Sequence, residues 1–549
     1  MAPIERTVFI IYTVLAFKVA ESFNYQTQVC LRSGTDVIVQ LFEWKWKDVA
    51  EECENFLGPN HFCAVQVSPP NENRIISNST HNRPWVERYE PVSYKIQTRS
   101  GNESEFRDMI SRCNRVKVSV YADIVINHMT DVNHHGYGTG GSIYHGEQRT
   151  YPAVSYSGWD FHDSLHCHTK SLNVETNTNV EQVRNCQLDG KADLNHEKSF
   201  VQDSIVTYLN VLIDLGVSGF RIASAKYMWP QQLTSIFDRL KNVNGGSARP
   251  FLYHEFDEKA GDVIQMSEYF PIGRAEYDNY GKELTRLIRN RNLESFKTNW
   301  GTARGFPSPG NIVTFIDDQI SQRDSLHPVF THADRKMYEV LNALLLAYHY
   351  GIPRVFSGYS YSHVWDGPPH NGYMSTADVN VNSYGDCQGG WTCEHRWNAI
   401  YKMVKFREAT QGASLHYWWT NHANQISFSL GSKGFIAINS ESGINLDSYL
   451  QTGLPSGTYC DVISGSHNDC SGKHISVRND GLARITIPYN AHSAVIAIHV
   501  VIWWRPIFIG GRENPDTMYL GRDHRPSESK LGNFLTYRRE RDWNPRRQR

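Results

Sequence analysis

The feature that most constrains the fold of this chain is a series of short apolar runs that each end in polar or charged residues. Most of these runs are continuous rather than alternating, which is typical of parallel strands covered on both faces. Helical patterns lie between several of them, most clearly at 201–216, where one apolar stripe ends at Gly216. This alternation predicts a closed (β/α)₈ barrel, in which chemistry takes place at the carboxyl ends of the strands. The runs cover residues 36–44, 62–70, 118–128, 216–222, 251–256, 311–317 and 353–359.

The pattern changes in two further parts of the chain. Residues 129–195 are rich in Gly, His, Tyr and Asn and lack helical periodicity, so we predict a small subdomain inserted after the third strand. From about residue 411 the chain turns to short strands and turns, which predicts an antiparallel β-sandwich domain. The predicted organisation is a signal peptide at 1–22, the barrel at 23–126 and 196–410, the inserted subdomain at 127–195, the β-sandwich at 411–500 and a basic tail at 501–549.

The chain has the features of an exported protein. Its N-terminal apolar segment is too short to span a bilayer, and Ala20 and Ser22 follow it in a pattern typical of signal-peptide cleavage; a buried N-terminal helix is the alternative. Ten cysteines fit an oxidising compartment, and Asn78 and Asn102 begin glycosylation sequons. We therefore predict a secreted, extracellular protein. The cysteines fall as neighbours, Cys53 with Cys113, Cys167 with Cys186, Cys387 with Cys393 and Cys460 with Cys470, which leaves Cys30 and Cys63 for a fifth pair that the sequence does not fix.

The charge of the chain gives no sign of a highly charged partner. The net charge is −2, so nothing global indicates nucleic-acid binding. Residues 501–549 hold ten Arg and one Lys against six acids, a net charge of +5, and we predict that this tail is disordered. We expect a monomer that binds neither nucleic acid nor a membrane.

The residues that close the apolar runs form an ordered set, namely LFEWKW, VQVSPPNEN, DIVINHM, GFRI followed by Lys226 and MWP, a lone Glu255, and FIDDQISQR. Together with the cysteines and the segment TGLPSGTYCDVISG, they resemble the α-amylase family, its animal branch in particular, from about residue 23 to 500. The resemblance implies a (β/α)₈ barrel, a subdomain inserted at the third strand and a C-terminal Greek-key domain. It also implies hydrolysis of internal α-1,4 bonds of starch and glycogen with retention of configuration.

The resemblance implies three carboxylates at the strand ends, of which this chain keeps one. A retaining glycosidase needs a carboxylate nucleophile and a protonatable carboxyl roughly 5 Å away. The nucleophile position is Ala223, the acid position is Glu255, and the position of the third carboxylate is Ile320. Neither replacement can form a glycosyl ester, and Ser224 has no base beside it in sequence to make it a nucleophile. We therefore predict impaired hydrolysis, with slow inversion by Glu255 and a water in the space at Ala223 as the remaining route.

Part of the sugar-binding surface that the resemblance implies is changed and part is kept. Val86 stands in place of a stacking Trp, Gln319 and Tyr227 stand in place of His, and the residues DSLHPVF at 324–330 replace a glycine-rich loop. For the positions that are kept, the alternative to sugar contact is that they pack the barrel mouth. These positions are Trp85, Tyr89, Asp123, His128 and Lys226.

The resemblance also implies a structural Ca²⁺ between the barrel and the inserted subdomain. Its ligands here would be Asn127, Asp193 and the backbone carbonyls of Arg184 and Tyr227. Carboxylate and carbonyl oxygens suit a hard cation, and a carbonyl ligand is indifferent to the side chain that Tyr227 brings. The alternative is an Asp193 that caps a turn.

Animal members of the family bind chloride between two arginines and an Asn. The matching positions are Arg221, Arg354 and Asp318. A carboxylate between two guanidinium groups is a strong charge-assisted arrangement that would repel chloride. We therefore predict that Asp318 pairs with both arginines and takes the place of chloride; the alternative is that Asp318 is a solvated turn residue.

Two hypotheses of function differ at position 223. The first is an amylase-like protein of α-glucan metabolism or binding that has lost hydrolysis and binds an α-glucan, an oligosaccharide or another partner. The second is a working α-amylase, which the resemblance over nearly the whole chain suggests. A third interpretation, a decaying gene copy or an erroneous gene model, is opposed by the intact strands and cysteines.

Overall fold

The computed structural model describes residues 29–30, 35–77, 83–258, 261–326, 328–372, 375–465 and 470–500. The predicted signal peptide, the predicted basic tail and the sequon at Asn78 lie outside these residues. Within the described ranges, no helix has both the length and the apolar character needed to cross a membrane.

Eight parallel strands close the barrel, as the sequence predicts. The last strand pairs with the first, with Arg354 opposite Ile38. Every residue of these strands except Arg274 is buried, because helices cover the outside of the barrel and side chains fill its inside. The strands are β1 (Ile38–Leu41), β2 (Ala64–Val67), β3 (Ser119–Ile124), β4 (Gly219–Ile222), β5 (Phe251–His254), β6 (Arg274–Tyr277), β7 (Ile312–Thr314) and β8 (Ile352–Ser357).

The predicted runs do not include β6. This strand has four residues, RAEY, in which polar and apolar side chains alternate. Glu276 is nevertheless 2% exposed, since it lies inside the barrel. A search for continuous apolar runs therefore misses this strand. It is the one barrel strand that contains both an acidic and a basic residue.

Helices form most of the crossovers between the barrel strands. The predicted helix at 201–216 is confirmed as Ser199–Leu215, and Gly216 ends it in the left-handed conformation at φ 106°, which glycine adopts without strain. After β5 the chain makes the 3₁₀ turns Met266–Glu268 and Phe270–Ile272 in place of a long helix. The described α-helices are Trp46–Glu52, Glu103–Arg115, Val180–Asn185, Ser199–Leu215, Pro230–Phe237, Asn279–Arg289, Ser295–Thr298, Arg335–Ala347 and Asn398–Thr410.

The segment inserted after β3 is built from short strands and loops. His128–Asp131 pairs with Lys191–Asp193, and His135–Tyr137 pairs with Ile143–His145. Before the insertion, Asn71–Asn73, Pro91–Thr98 and Gly101–Asn102 form a three-stranded sheet. The insertion at the third strand is thus present, and its position brings Asn127 and His128 to the carboxyl end of the barrel.

The C-terminal part is an antiparallel β domain, as predicted. A four-stranded sheet and a paired ribbon enclose an apolar core that includes Phe435, Leu446 and Ile485. The sheet contains Leu415–Thr420, Gln425–Leu430, Gly434–Asn439 and Val495–His499; the ribbon pairs Leu446–Gln451 with Leu482–Ile487, and Gly457–Cys460 pairs with His474–Val477.

The disulfides confirm the neighbour pairing of the cysteines. All ten cysteines are bonded, and the fifth pair is Cys30 with Cys63. The loop closed by Cys53 and Cys113 spans 60 residues, and a bond of that kind stabilises a fold by about 3–4 kcal/mol.

Candidate active site

Position 223 lies beside the retained acid at the carboxyl end of the barrel. Ala223 follows β4, is 1% exposed, and donates its N–H to the carbonyl of Ile124 at 2.9 Å. Glu255 follows β5 and donates its N–H to the carbonyl of Ile222 at 2.9 Å. The two positions therefore sit on adjacent strand ends, and the one that would hold a nucleophile offers a methyl group.

The Glu255 carboxylate is held by two donors. Its Oε2 accepts the backbone N–H of Ser224 at 2.6 Å, and its Oε1 lies 3.1 Å from Nη2 of Arg221. Ser224 supplies this N–H from the left-handed conformation at φ 54°, which costs a residue with a side chain some strain. Each carboxyl oxygen therefore has one donor, and the two contacts fix the orientation of the Glu255 side chain at the end of β5. The described residues place no base against the Ser224 hydroxyl.

Arg221 is the centre of the polar network inside the barrel. It is completely buried, and its Nη1 donates to both oxygens of Asp123 at 3.1 and 3.0 Å. Its Nε and Nη2 donate to Glu276 at 2.9 and 3.0 Å. Three carboxylates, those of Asp123, Glu255 and Glu276, therefore contact one guanidinium.

The prediction that Asp318 pairs with both arginines holds for Arg354 and not for Arg221. Its Oδ1 accepts the N–H groups of Ile320 and Ser321 at 3.0 and 2.8 Å, so this oxygen is engaged in its own turn. Its Oδ2 lies 3.6 Å from Nη2 of Arg354, and among the described residues Asp318 is not in the set of carboxylates that contact Arg221. The alternative, that Asp318 is a turn residue, fits these contacts better, although Asp318 is buried rather than exposed to solvent.

Glu276 is the carboxylate that contacts both arginines. It ion-pairs with Arg221 and with Nη1 of Arg354. Glu276 is not among the predicted site residues, because the apolar runs do not include β6. The signal that could have found it is an acid in a short segment, between two predicted strands, that must supply an eighth strand.

Asp123 ends a chain of buried polar side chains. It accepts the Tyr89 hydroxyl at 2.8 Å, and Tyr89 in turn accepts Nε2 of Gln319 at 3.0 Å. Gln40 donates to Gln319 at 2.9 Å. Burial raises the pKa of Asp123 to about 6, although Arg221 acts in the opposite direction. The residue at the family's His position, Gln319, is therefore tied into the barrel interior.

A cavity of about 860 Å³ opens beside Glu255 at the barrel mouth. Ile320, which stands at the position of the third carboxylate, is 48% exposed there and adds an apolar wall. The cavity therefore has a lining that mixes acidic and apolar side chains, and Ala223 is not part of that lining. Its lining includes Glu255, Phe256, Glu258, Phe315, Ile320 and Leu326.

The other residues predicted to contact sugar differ in how far they are buried. His128 is buried beside the Tyr89 carbonyl, at 2.9 Å, and burial lowers its pKa to about 3, so the ring is neutral. Lys226 is also buried, and its ammonium contacts Asp262 and the Asp257 carbonyl. These contacts suit packing of the barrel mouth, so sugar contact by His128 and Lys226 stays a prediction.

Trp85 keeps part of its ring exposed. Its Nε1 donates to the Val364 carbonyl at 2.9 Å, and the Arg323 guanidinium lies 5.6 Å from its ring centroid. Tyr89 packs against the ring edge at 5.9 Å. The ring thus presents an apolar surface, and sugar contact by Trp85 stays a prediction.

The residues predicted to hold Ca²⁺ carry donor atoms that fit it. Oδ1 of the buried Asn127 has no hydrogen-bond partner among the described residues. Asp193 is buried, burial raises its pKa well above the ordinary range, and one of its oxygens lies 2.6 Å from Nδ1 of His162. Leu194 donates its N–H to the Asn127 carbonyl at 3.0 Å, which places the two predicted side-chain ligands on adjoining segments.

The helix that holds Arg184 packs against the turn that holds Tyr227. Within the described ranges, no group of three or more His, Cys, Asp or Glu side chains is arranged for a metal. A cation at Asn127 and Asp193 would therefore depend on backbone oxygens, which hard cations accept.

Comparison with known proteins agrees with this architecture. Residues 75–283 match the family described as the α-amylase catalytic domain, and residues 418–501 match its C-terminal all-beta domain. An α-amylase of Pecten maximus is 49% identical over 477 residues, covering 85% of this chain and 93% of the relative; a pancreatic α-amylase of Sus scrofa is 44% identical over 491 residues, covering 85% and 95%. A mutant α-amylase I of Eisenia fetida, solved as a maltohexaose complex, has a TM-score of 0.82 and 36% identity, covering 87% of this chain and 100% of that one. The chain belongs to the α-amylase family of carbohydrate hydrolases.

Proposed function

We propose that this protein binds α-1,4-glucans at the mouth of its barrel and has lost most or all of the family's hydrolysis. The observation that carries the proposal is the methyl group of Ala223 beside Glu255, at the end of β4. Retaining hydrolysis requires a carboxylate that forms a glycosyl ester, and no side-chain oxygen exists at this position. Loss of one member of a catalytic unit costs ~10⁴–10⁶ in turnover.

The geometry of Glu255 supports the same proposal. Two donors fix the Glu255 carboxyl in place, but a single positioned carboxyl does not make the pair that retaining hydrolysis needs. Its remaining role would be that of a base for a water near Ala223, with inversion at the sugar. Inverting enzymes use a second carboxyl as the acid, and Ile320 removes the candidate on the other side of the cavity.

A working α-amylase is the second candidate function. The relatives named α-amylase match this chain over 85% of its length at up to 49% identity, and these names favour hydrolysis more directly than binding. The side chains of the site favour the first candidate, because the second needs a nucleophile or a water route that replaces Ala223.

One experiment separates the two. The purified full chain is titrated with maltoheptaose in a calorimeter, and the same sample is then analysed for shorter products. The control is Glu255→Gln, which keeps the shape of the side chain and removes its charge. Binding with no product above this control supports the first candidate. Turnover at the pace of pig pancreatic α-amylase that disappears in the control would establish the second. Absence of binding would end both.

Calcium and secretion belong to the same proposal. Asn127 and Asp193, with the carbonyl oxygens of Arg184 and Tyr227, would hold Ca²⁺, which would neutralise a buried carboxylate and tie the insertion to the barrel. Five disulfides support export to an oxidising compartment. The domain limits at 127–195 and 411–500 and the monomeric state remain proposals as well.

A further inference from the structure

Four polar side chains fill one layer inside the barrel. Side chains inside such a barrel form layers contributed by alternate strands, and the layers are usually made of branched apolar residues. Here the even-numbered strands contribute Gln66, Arg221, Glu276 and Arg354. All four are buried. The layer is held together by polar contacts rather than by apolar packing.

Glu276 makes the contacts that join this layer. Its Oε1 accepts Nε of Arg221 at 2.9 Å and Nη1 of Arg354, and its Oε2 accepts Nη2 of Arg221 at 3.0 Å. Arg354 Nη1 also lies 3.3 Å from Oε1 of Gln66. One carboxylate thus lies between two guanidinium groups that come from opposite sides of its own strand.

The two arginines depend on Glu276 to different degrees. Arg221 also contacts Asp123 and Glu255. Arg354 has one further carboxylate, Asp318, at 3.6 Å, and its Nε and Nη2 have no hydrogen-bond partner among the described residues. A guanidinium remains charged in proteins, and a buried charge that loses its partner is strongly destabilising. Glu276 is therefore the main counter-charge of Arg354.

We propose that Glu276 is a built-in counter-anion of the barrel interior. It supplies from within the chain the negative charge that Arg221 and Arg354 require, so the native fold has no need of a small anion from solvent. It also acts as a positioning residue, because its contacts hold the Arg221 guanidinium in the orientation that contacts Asp123 and Glu255. Removing its carboxylate should turn the space between the two arginines into a binding site for a small anion.

The test is thermal unfolding of the full chain in three sodium salts at one ionic strength. Chloride and formate are the probes, and methanesulfonate is the bulky reference anion. Glu276→Ala opens the space, whereas Glu276→Gln removes the charge and still fills it. Asp318→Asn is the matched control, since it removes the other carboxylate near Arg354 and keeps the oxygen that caps the turn.

We expect the Tm of the parent protein to agree within about 1 °C in the three salts. In methanesulfonate, Glu276→Ala should melt about 3–5 °C lower, because one partner of a buried ionic network is missing. Chloride and formate should return about 3 °C of this loss at about a hundred times their Kd, and the Tm should rise with the logarithm of the anion concentration above Kd. Glu276→Gln should melt lower without recovering, and Asp318→Asn should show no response to the anion.

Three results would overturn the inference. The first is a Tm of the parent that rises with chloride or formate relative to methanesulfonate. The second is a Glu276→Ala protein that gains no response to the small anions, including one that fails to fold in their presence. The third is a response in Asp318→Asn equal to that of Glu276→Ala. All three concern unfolding, so they are independent of whether the protein hydrolyses glucans.

Discussion

Restoring the missing nucleophile by Ala223→Asp should destabilise the fold and leave hydrolysis weak. The new carboxylate would enter a buried position next to Glu255, whose Oε2 already accepts the N–H of Ser224. The guanidinium that would stabilise it, Arg221, is already in contact with three carboxylates. A fourth acid therefore meets repulsion that the available positive charge does not offset.

The size of the effect follows from the spacing of the charges. Two carboxylates about 5 Å apart, the usual spacing of the pair in a retaining site, repel each other by about 3 kcal/mol at an effective dielectric of about 20. We expect the free energy of unfolding at pH 7 to fall by about this amount, which for a chain of this length lowers the Tm by about 3 °C. Hydrolysis of maltoheptaose should stay more than ~10³-fold below that of a working relative, because Ile320 still lacks a carboxylate.

The measurements are urea unfolding and release of reducing sugar, with Ala223→Asn as the matched control. Asn has nearly the shape of Asp without the charge, so the difference between the two variants isolates the electrostatic cost. Adding Glu276→Ala to each variant should shrink that difference by about 2 kcal/mol, since one repelling carboxylate is gone. Equal stability of the Asp and Asn variants, or full amylase activity of Ala223→Asp alone, would refute the reasoning.

Three further predictions test other parts of the molecule. Trp85→Ala should weaken maltoheptaose binding about thirtyfold in calorimetry, whereas the exposed Trp159→Ala should not; equal effects would contradict a sugar-binding Trp85. His254 is buried against Phe237 and its pKa is lowered to about 4, so it stays neutral in the fold and its contribution to stability falls as the pH drops below 6.5. From pH 7 to 5 the unfolding free energy of His254→Phe should therefore improve by about 2 kcal/mol relative to the parent, and a constant difference would rule this out. Chelation of Ca²⁺ should lower the Tm of the parent by several degrees and leave that of Asp193→Asn unchanged. An unchanged Tm of the parent on chelation would contradict the calcium proposal.

Two buried histidines show that burial is decided by the tertiary structure and cannot be inferred from local sequence pattern. His128 and His254 look alike in sequence, each near the end of a strand. The structure buries both and lowers the pKa of both, His128 to about 3 and His254 to about 4. Lys226 likewise matches a sugar-contacting position, yet its ammonium contacts Asp262, which lies 36 residues further along the chain.

The sequence by itself determined the features that depend on local pattern. Continuous apolar runs specify strands that are covered on both faces, and the stripe that ends at Gly216 specifies the helix Ser199–Leu215. The absence of a side-chain oxygen at Ala223 is likewise a fact of the sequence, as no fold can supply an oxygen that the side chain lacks.

Tertiary structure alone decided which charges meet inside the barrel. Arg221, Glu276 and Arg354 are separated by 55 and 78 residues, and only closure of the barrel places alternate strands in one layer. The polar strand β6 is missed by a search for apolar runs, whereas the prediction for Asp318 rests on its match to the Asn position of the family's chloride site. The two acids differ in what their side chains contact. Asp318 accepts hydrogen bonds within its own turn, whereas Glu276 extends between both guanidinium groups.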